Sequence, residues 1–172
     1  MVDIREKFAP FESRMRAEGL PKIFIDSFEN YYEQLVCGST GLIPEESIIA
    51  VDKVPDMNSF PESLNEIGNK ALKKTAVVKL NGGLGTSMGL EKAKSLLQVR
   101  DGYSFLDIIA QQVIQMQVPL VLMNSYVTEQ DSLDALEPYP ELNNELPSSF
   151  LQHKELKIDR SDLKPVDWPR VR

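Results

Sequence analysis

The chain has 172 residues, of which 42% are apolar and 26% charged, and 26 acidic against 19 basic side chains give it a net charge of -7. This length suits one ordinary domain with a buried core, and the acidic balance argues against a protein that binds the nucleic-acid backbone. No apolar run could span a bilayer, the amino terminus lacks a secretion signal, and a lone Cys37 excludes an internal disulfide. We expect a cytoplasmic protein with no nucleic-acid or membrane partner.

The amino-terminal part predicts helices and a connector. Apolar residues at three- and four-residue spacing run from Phe24 to Val36, and Gly19-Leu20-Pro21 separates this helix from an earlier one. Residues 41–61 contain three prolines and little periodicity, which indicates a surface connector, and a third amphipathic helix follows it. We assign residues 1–74 to an amino-terminal helical segment with its connector.

The pattern changes at Thr75, where strand and helix signals begin to alternate. TAVVKL is a short β-rich run, SLLQV (95–99) is a second, and PLVLM (119–123) reads as a buried strand. Ser104 with Asp107 predicts a capping box for the helix between the last two runs. Strands that are separated by helices argue for an α/β sheet with parallel pairs.

The rest of the chain predicts a short helix that begins at Thr128 and ends before Pro138, then an ambiguous run, SSFLQHKELKI, that could supply one more strand. Three or four short strands are fewer than a doubly wound sheet usually has. We therefore expect the sheet to be incomplete and the chain to be part of a longer protein.

Four glycines lie within the eight residues from Gly82 to Gly89, directly after the first predicted strand. Their spacing is one residue too long for the dinucleotide fingerprint, and no pair stands at the Walker spacing. A looser device remains, in which backbone amides of a glycine loop surround a triphosphate and a lysine, Lys92 or Lys94, neutralises charge. The alternative is a structural turn, but such a turn needs only one or two glycines.

The stretch KLNGGLGTSMG, with the later Lys94-Ser95, resembles the signature of the UDP-glucose pyrophosphorylase family (UTP–glucose-1-phosphate uridylyltransferases). FLDIIAQQV, VPLVLMNSYVTEQDSL and FLQHKELKI resemble later family segments in the same order, so the resemblance covers about Thr75 to Trp168. Related N-acetylhexosamine enzymes carry glutamine and arginine where this chain has Leu84 and Ser87. The resemblance therefore implies the glucose type, with UTP as the nucleotide.

The resemblance implies a nucleotide-diphospho-sugar transferase fold, which is a Rossmann-like mixed α/β sheet flanked by helices. It also implies the reaction UTP + glucose 1-phosphate ⇌ UDP-glucose + pyrophosphate, assisted by Mg²⁺ and needing no covalent nucleophile. Lys94 would act on the UTP phosphates as the catalytic residue, and Gln152 would bind the uracil edge with its amide. The backbone of four loop residues would line the nucleotide: Leu80, Asn81, Gly82 and Gly83.

Several family segments that the resemblance calls for are missing from this sequence. The family's Gly-His-Gly-Asp segment, its metal-associated aspartate and a distant lysine are not found, so we expect no metal ligand here and a Mg²⁺ site elsewhere in the parent protein. Residues 75–172 would then be the amino-terminal, truncated part of the catalytic domain, inactive alone. The alternative is a self-contained, non-catalytic module that binds a nucleotide or a partner. The sequence leaves the oligomeric state open.

Overall fold

The computed structural model describes residues 4–86, 89, 91–142 and 145–166. The chain divides into two compact units, one comprising Met1–Val54 with His153–Arg172 and the other comprising Pro55–Gln152. The predicted domain boundary at residue 74 concerns the family's catalytic domain and stays a prediction. The compact units themselves divide after Val54 and again after Gln152.

The first unit is built on the two predicted helices, α1 (Ile4–Ala17) and α2 (Lys22–Val36). Gly19 lies between them with a φ of 73°, a conformation that favours glycine. The helices enclose a small aromatic core, whose fully buried members are Phe8, Phe11, Met15, Ile25 and Tyr32. The Tyr32 hydroxyl donates a 2.9 Å hydrogen bond to the Leu163 carbonyl, which ties the carboxyl-terminal segment to α2.

The connector and the third helix confirm the sequence interpretation. Between α2 and α3 (Ser63–Leu72), the regular structure described consists of short 3₁₀ turns at Glu45–Ser47 and Met57–Ser59. None of the residues of α3 is buried. No helix in the described part of the chain is both long enough and apolar enough to cross a membrane.

The second unit contains a parallel three-stranded sheet, as the alternation of strand and helix signals predicted. Its strands are β1 (Val77–Asn81), β4 (Leu120–Asn124) and β5 (Ser149–Leu151), with β4 in the middle. A small antiparallel pair, β2 (Gln98–Arg100) and β3 (Tyr103–Ser104), precedes helix α4 (Phe105–Met116), and α5 (Glu129–Leu136) connects β4 to β5.

Two predicted strands are shorter than the sequence suggested. Of the run 95–99, Ser95 and Leu96 belong to a 3₁₀ turn that starts at Lys94, and only residues 98–99 belong to β2; the Ser95 side chain makes a buried hydrogen bond to Asn81. The ambiguous run after Pro147 is a strand only at Ser149–Leu151, where it pairs with β4. At the end of this run, Ile158 forms an isolated antiparallel bridge with Pro165.

Helices α4 and α5 cover one face of the sheet, and β1 is exposed on the other face. The covered face supplies the second hydrophobic core, which consists of Leu106, Val113, Val118, Leu120 and Leu122. On the other face, Val78 is 53% exposed and Leu80 is 67% exposed. The alternating exposure along β1 shows that this strand is buried on one side only, because successive side chains of a strand point to opposite faces.

The predicted capping box begins α4. The Asp107 backbone amide donates to the Ser104 hydroxyl at 3.2 Å, and the Ser104 amide donates to the Asp107 carboxylate at 2.7 Å. The Tyr139 hydroxyl also donates to this carboxylate, at 2.8 Å. Burial alone would raise the pKa of Asp107, but the hydrogen bonds from Ser104 and Tyr139 outweigh it, so the pKa lies below its usual value.

Candidate nucleotide site

The predicted site residues of the second unit lie where the three parallel strands end. Asn81 at the end of β1 is paired in register with Asn124 at the end of β4, and Asn124 is paired with Leu151 at the end of β5. Gly82 and Gln152 are the next residues after two of these strands. Ligands of open parallel sheets bind beyond the carboxyl ends of the strands, so this edge is the expected position for a nucleotide.

The glycine loop leaves β1 and folds back on itself. Leu84 forms an antiparallel bridge with Ala93, the Gly85 amide donates to the Lys92 carbonyl, and the Lys94 amide donates to the Gly83 carbonyl, both at 3.1 Å. The loop therefore returns to its starting point, which a simple strand-to-helix turn would not do. Ser87, on which the choice of the glucose type partly rested, lies outside the described residues.

Lys94 stands where the loop closes, at the first position of the 3₁₀ turn Lys94–Leu96. The residue is exposed, whereas Ala93 and Ser95 on either side of it are buried. A lysine with its backbone fixed and its ammonium group in solvent can reach a ligand on the loop as a mobile point charge. The position is therefore compatible with the role that the resemblance implies for it.

Gln152 and Gly82, which are 70 positions apart in the printed sequence, come into direct contact. A Cβ at Gly82 would lie 2.2 Å from Oε1 of Gln152 and 2.8 Å from its Nε2. The Gln152 backbone amide donates to the Asn124 carbonyl at 2.8 Å, so the start of this residue is anchored to β4. A side chain at position 82 would therefore have to displace the Gln152 amide, which occupies that space.

The structure also reveals a buried polar network that the sequence analysis missed. The Asn81 side-chain nitrogen donates to the Asn124 side-chain oxygen and to the Ser132 hydroxyl, both at 2.7 Å. The Ser95 hydroxyl donates to the Asn81 side-chain oxygen at 2.5 Å, and the Thr128 hydroxyl donates to the Asn81 carbonyl at 2.8 Å. An asparagine at the end of each of two predicted strands was the available signal, because a buried asparagine needs hydrogen-bond partners.

One member of this network is not fully satisfied. Asn124 is 0% exposed, and its side-chain nitrogen is the only buried side-chain nitrogen or oxygen in the described residues that has no hydrogen-bond partner. A buried donor without a partner costs about 1–3 kcal/mol. Such costs are unusual in a purely structural core, and their occurrence at this strand edge is consistent with a functional site.

The described residues contain no cluster of three or more His, Cys, Asp or Glu side chains that could hold a metal ion. His153 belongs to the first unit, where its ring packs on Phe24 with the ring centroids 4.8 Å apart. This packing gives the only histidine of the chain a structural role.

Comparison with known proteins decides the family. The model of the UTP–glucose-1-phosphate uridylyltransferase family matches residues 22–171. The chain belongs to this family. It is 41% identical over 112 residues to the enzyme of that name from Musa acuminata and 35% identical over 128 residues to the one from Solanum tuberosum. These matches cover 62% and 71% of this chain but 24% and 26% of the relatives.

Solved structures support the fold in the same way. The chain matches a mutant UDP-glucose pyrophosphorylase from Leishmania major, determined in complex with UDP-glucose, with a TM-score of 0.81 and 32% identity. It also matches a UDP-glucose phosphorylase from Trypanosoma brucei, with a TM-score of 0.73 and 34% identity. These matches cover 94% and 95% of this chain and 35% and 34% of the solved chains. The predicted α/β nucleotide-diphospho-sugar transferase fold is confirmed, and this chain spans about a third of the solved proteins.

Proposed function

We propose that this chain supplies the UTP-binding part of an enzyme that forms UDP-glucose and pyrophosphate from UTP and glucose 1-phosphate. The observation that carries the proposal is the juxtaposition at the strand edge. The Gln152 amide lies against Gly82, and the glycine loop that begins there closes at Lys94. A base-binding amide and a phosphate-binding loop with a lysine therefore meet on one edge, as a nucleoside triphosphate requires.

The reaction needs positioning and charge stabilisation rather than a nucleophilic side chain. A phosphate oxygen of glucose 1-phosphate attacks the α-phosphorus of UTP, the bond between the α-phosphorus and the bridging oxygen breaks, and pyrophosphate leaves with the electron pair. Lys94 would neutralise charge that develops on the phosphates during this step. A placed donor of this kind contributes about 3–4 kcal/mol to transition-state stabilisation.

Gln152 would give the site its preference for uracil. The uracil edge presents an N–H donor between two carbonyl acceptors, and an amide side chain offers one acceptor and one donor to match it. Cytosine presents the reverse order, a ring-nitrogen acceptor beside an amino donor, so it would require the Gln152 amide to be turned over. Discrimination by paired hydrogen bonds is effective because a mismatched base leaves buried groups without partners.

Other expectations for the whole protein remain proposals. Glucose 1-phosphate, UDP-glucose and pyrophosphate follow from the proposed reaction, and a cytoplasmic location remains an expectation from the sequence. Mg²⁺ is the cofactor that the resemblance implies, but the described residues hold no cluster for it, so we assign it no step.

The proposal is tested by steady-state synthesis of UDP-glucose with the protein as its gene encodes it. Lys94→Ala should lower kcat about 100-fold or more. Lys92→Ala is the matched control, because Lys92 is an exposed loop lysine to which no role is assigned and only its backbone carbonyl takes part in loop closure. Equal activities of the two variants would remove Lys94 from the mechanism.

Assays on the same protein distinguish the proposed transferase from a self-contained, non-catalytic binding module. Formation of UDP-glucose from UTP and glucose 1-phosphate supports the transferase. Micromolar UTP binding without any turnover, in the protein as encoded, would contradict the transferase and support the binding module.

A further inference from the structure

We infer that Ser95 and Asn81 form a buried clamp that holds the two ends of the glycine loop together and positions Lys94. The inference rests on the proposed function for the role of Lys94, but the clamp itself is a property of the structure without nucleotide. Ser95 is thus a positioning residue, which acts on the phosphates through its neighbour rather than by contact.

The two clamp residues flank the loop in sequence and are hydrogen-bonded to each other. Asn81 is the last residue of β1 and Ser95 is the first residue after Lys94, and they are 14 positions apart. The Ser95 hydroxyl donates to the Asn81 side-chain oxygen, with both residues buried, at 6% and 4% exposure. A hydrogen bond in such surroundings is shielded from water, which would otherwise compete for both groups.

Every hydrogen-bonding atom of the Asn81 side chain is used inside the protein. Its oxygen accepts from Ser95, and its nitrogen donates to Asn124 and to Ser132 on the far side of the network. These bonds hold the amide in one orientation, and the residue is only 4% exposed, so its side chain is hardly accessible to a nucleotide. The Asn81 side chain therefore acts inside the protein, as part of the clamp.

Ser95 is covalently bonded to Lys94, and backbone contacts of the loop also hold Lys94 in place. The Lys94 amide donates to the Gly83 carbonyl at 3.1 Å, and the neighbouring Ala93, which is 1% exposed, bridges to Leu84. With Ser95 fixed on one side and Ala93 on the other, the Cα of Lys94 has little freedom. Only its side chain is left to adjust to the phosphates. Loss of the Ser95 hydroxyl would free one of these two anchors.

The first test measures hydrogen exchange at the Lys94 amide in the protein as its gene encodes it, without nucleotide. Ser95→Ala should raise this exchange rate about tenfold, which corresponds to the loss of one net hydrogen bond. Ser95→Cys, whose thiol is a weaker donor of similar size, should give a smaller rise. An unchanged rate in Ser95→Ala would contradict the clamp.

The second test asks whether Ser95 acts through Lys94. Ser95→Ala should lower kcat about tenfold in the presence of Lys94 and have no further effect in the Lys94→Ala background, because the group it positions is then absent. Equal effects of Ser95→Ala in both backgrounds would overturn the positioning role. Ser104→Ala is the control: it removes a buried serine hydroxyl that caps α4 and should change neither kcat nor exchange at Lys94.

The two experiments distinguish failure of the clamp from failure of the proposed function. If Lys94→Ala leaves kcat unchanged, the proposed role of Lys94 fails and, with it, the positioning of a functional lysine, while the exchange experiment still reports on the clamp. If Lys94→Ala lowers kcat but Ser95→Ala changes neither kcat nor exchange, the inference alone fails.

Discussion

Addition of a single methyl group at Gly82 should disturb the site through Gln152. The Cβ of Gly82→Ala would lie 2.2 Å from the Gln152 oxygen, 2.7 Å from its amide carbon and 2.8 Å from its nitrogen. Carbon atoms in contact prefer separations of about 3.5–4.0 Å, so the glutamine amide must move by about 1 Å or more. The backbone at Gly82 does not have a positive φ, so alanine is acceptable there in itself.

The expected loss of UTP affinity follows from the hydrogen bonds that Gln152 would make to uracil and that this displacement would break. Each neutral hydrogen bond contributes about 0.5–1.5 kcal/mol net, so loss of the donor and acceptor of Gln152 together costs about 1–3 kcal/mol. This corresponds to a UTP affinity that is about 5- to 150-fold weaker. The stability of the protein should change little, because the group that moves is the end of a flexible side chain.

Calorimetric titration with UTP tests this reasoning in four proteins: the wild type, Gly82→Ala, Gln152→Ala and the double variant. We expect Gly82→Ala to weaken binding no more than Gln152→Ala does, and to have no further effect when Gln152 is already truncated. The reasoning is refuted if Gly82→Ala weakens binding as much in the Gln152→Ala background as in the wild type. The methyl group would then act on the nucleotide directly.

Three further predictions concern stability and are measured by urea unfolding. Ser104→Ala should lower the free energy of unfolding by about 1 kcal/mol through loss of the α4 cap, and an unchanged value would contradict the capping box. Asp107→Asn should be destabilising near neutral pH. The difference in free energy of unfolding between this variant and the wild type should shrink as the pH falls through 3.8, the ordinary pKa of the group, and below. Hydrogen bonds to the ionised carboxylate lower its folded-state pKa from that value, so protonation removes the stabilisation. A difference that does not depend on pH would refute this. Gly68→Ala, in the exposed helix α3 with open space around the Cβ, should stabilise by about 0.4–1 kcal/mol, and a loss would count against a regular helix there.

Local patterns predicted most of the elements in this fold. The capping box at Ser104, the buried strand that ends at Asn124 and the helix break at Gly19 each follow from residues that are neighbours in sequence. The parallel pairing of strands followed from the alternation of strand and helix signals, and the structure confirms it. Lys94 and Gln152 were predicted as site residues from the family resemblance, and their binding roles stay predictions.

What the sequence could not predict depends on contacts between distant residues. Asn81 is hydrogen-bonded to Ser95 and also to Ser132, which is 51 positions away in sequence. A local pattern of apolar residues does not predict hydrogen bonds between such distant residues. The contact between Gly82 and Gln152 joins residues at the ends of two strands, β1 and β5, that both pair with β4. The run 95–99 was predicted as strand from its apolar residues, but its first part belongs to a 3₁₀ turn in which Ser95 makes a buried hydrogen bond that could not be foreseen.

The central claim is that UTP binds at the carboxyl edge of the sheet, between the glycine loop and Gln152. Amide NMR of the protein during a UTP titration tests this most directly, because it reports the location of binding independently of turnover. We predict that the largest shifts occur at the backbone amides of Gly82, Gly83 and Lys94 and at the side-chain amide of Gln152. Saturable UTP binding that leaves these signals unchanged and shifts those of other residues would contradict the account.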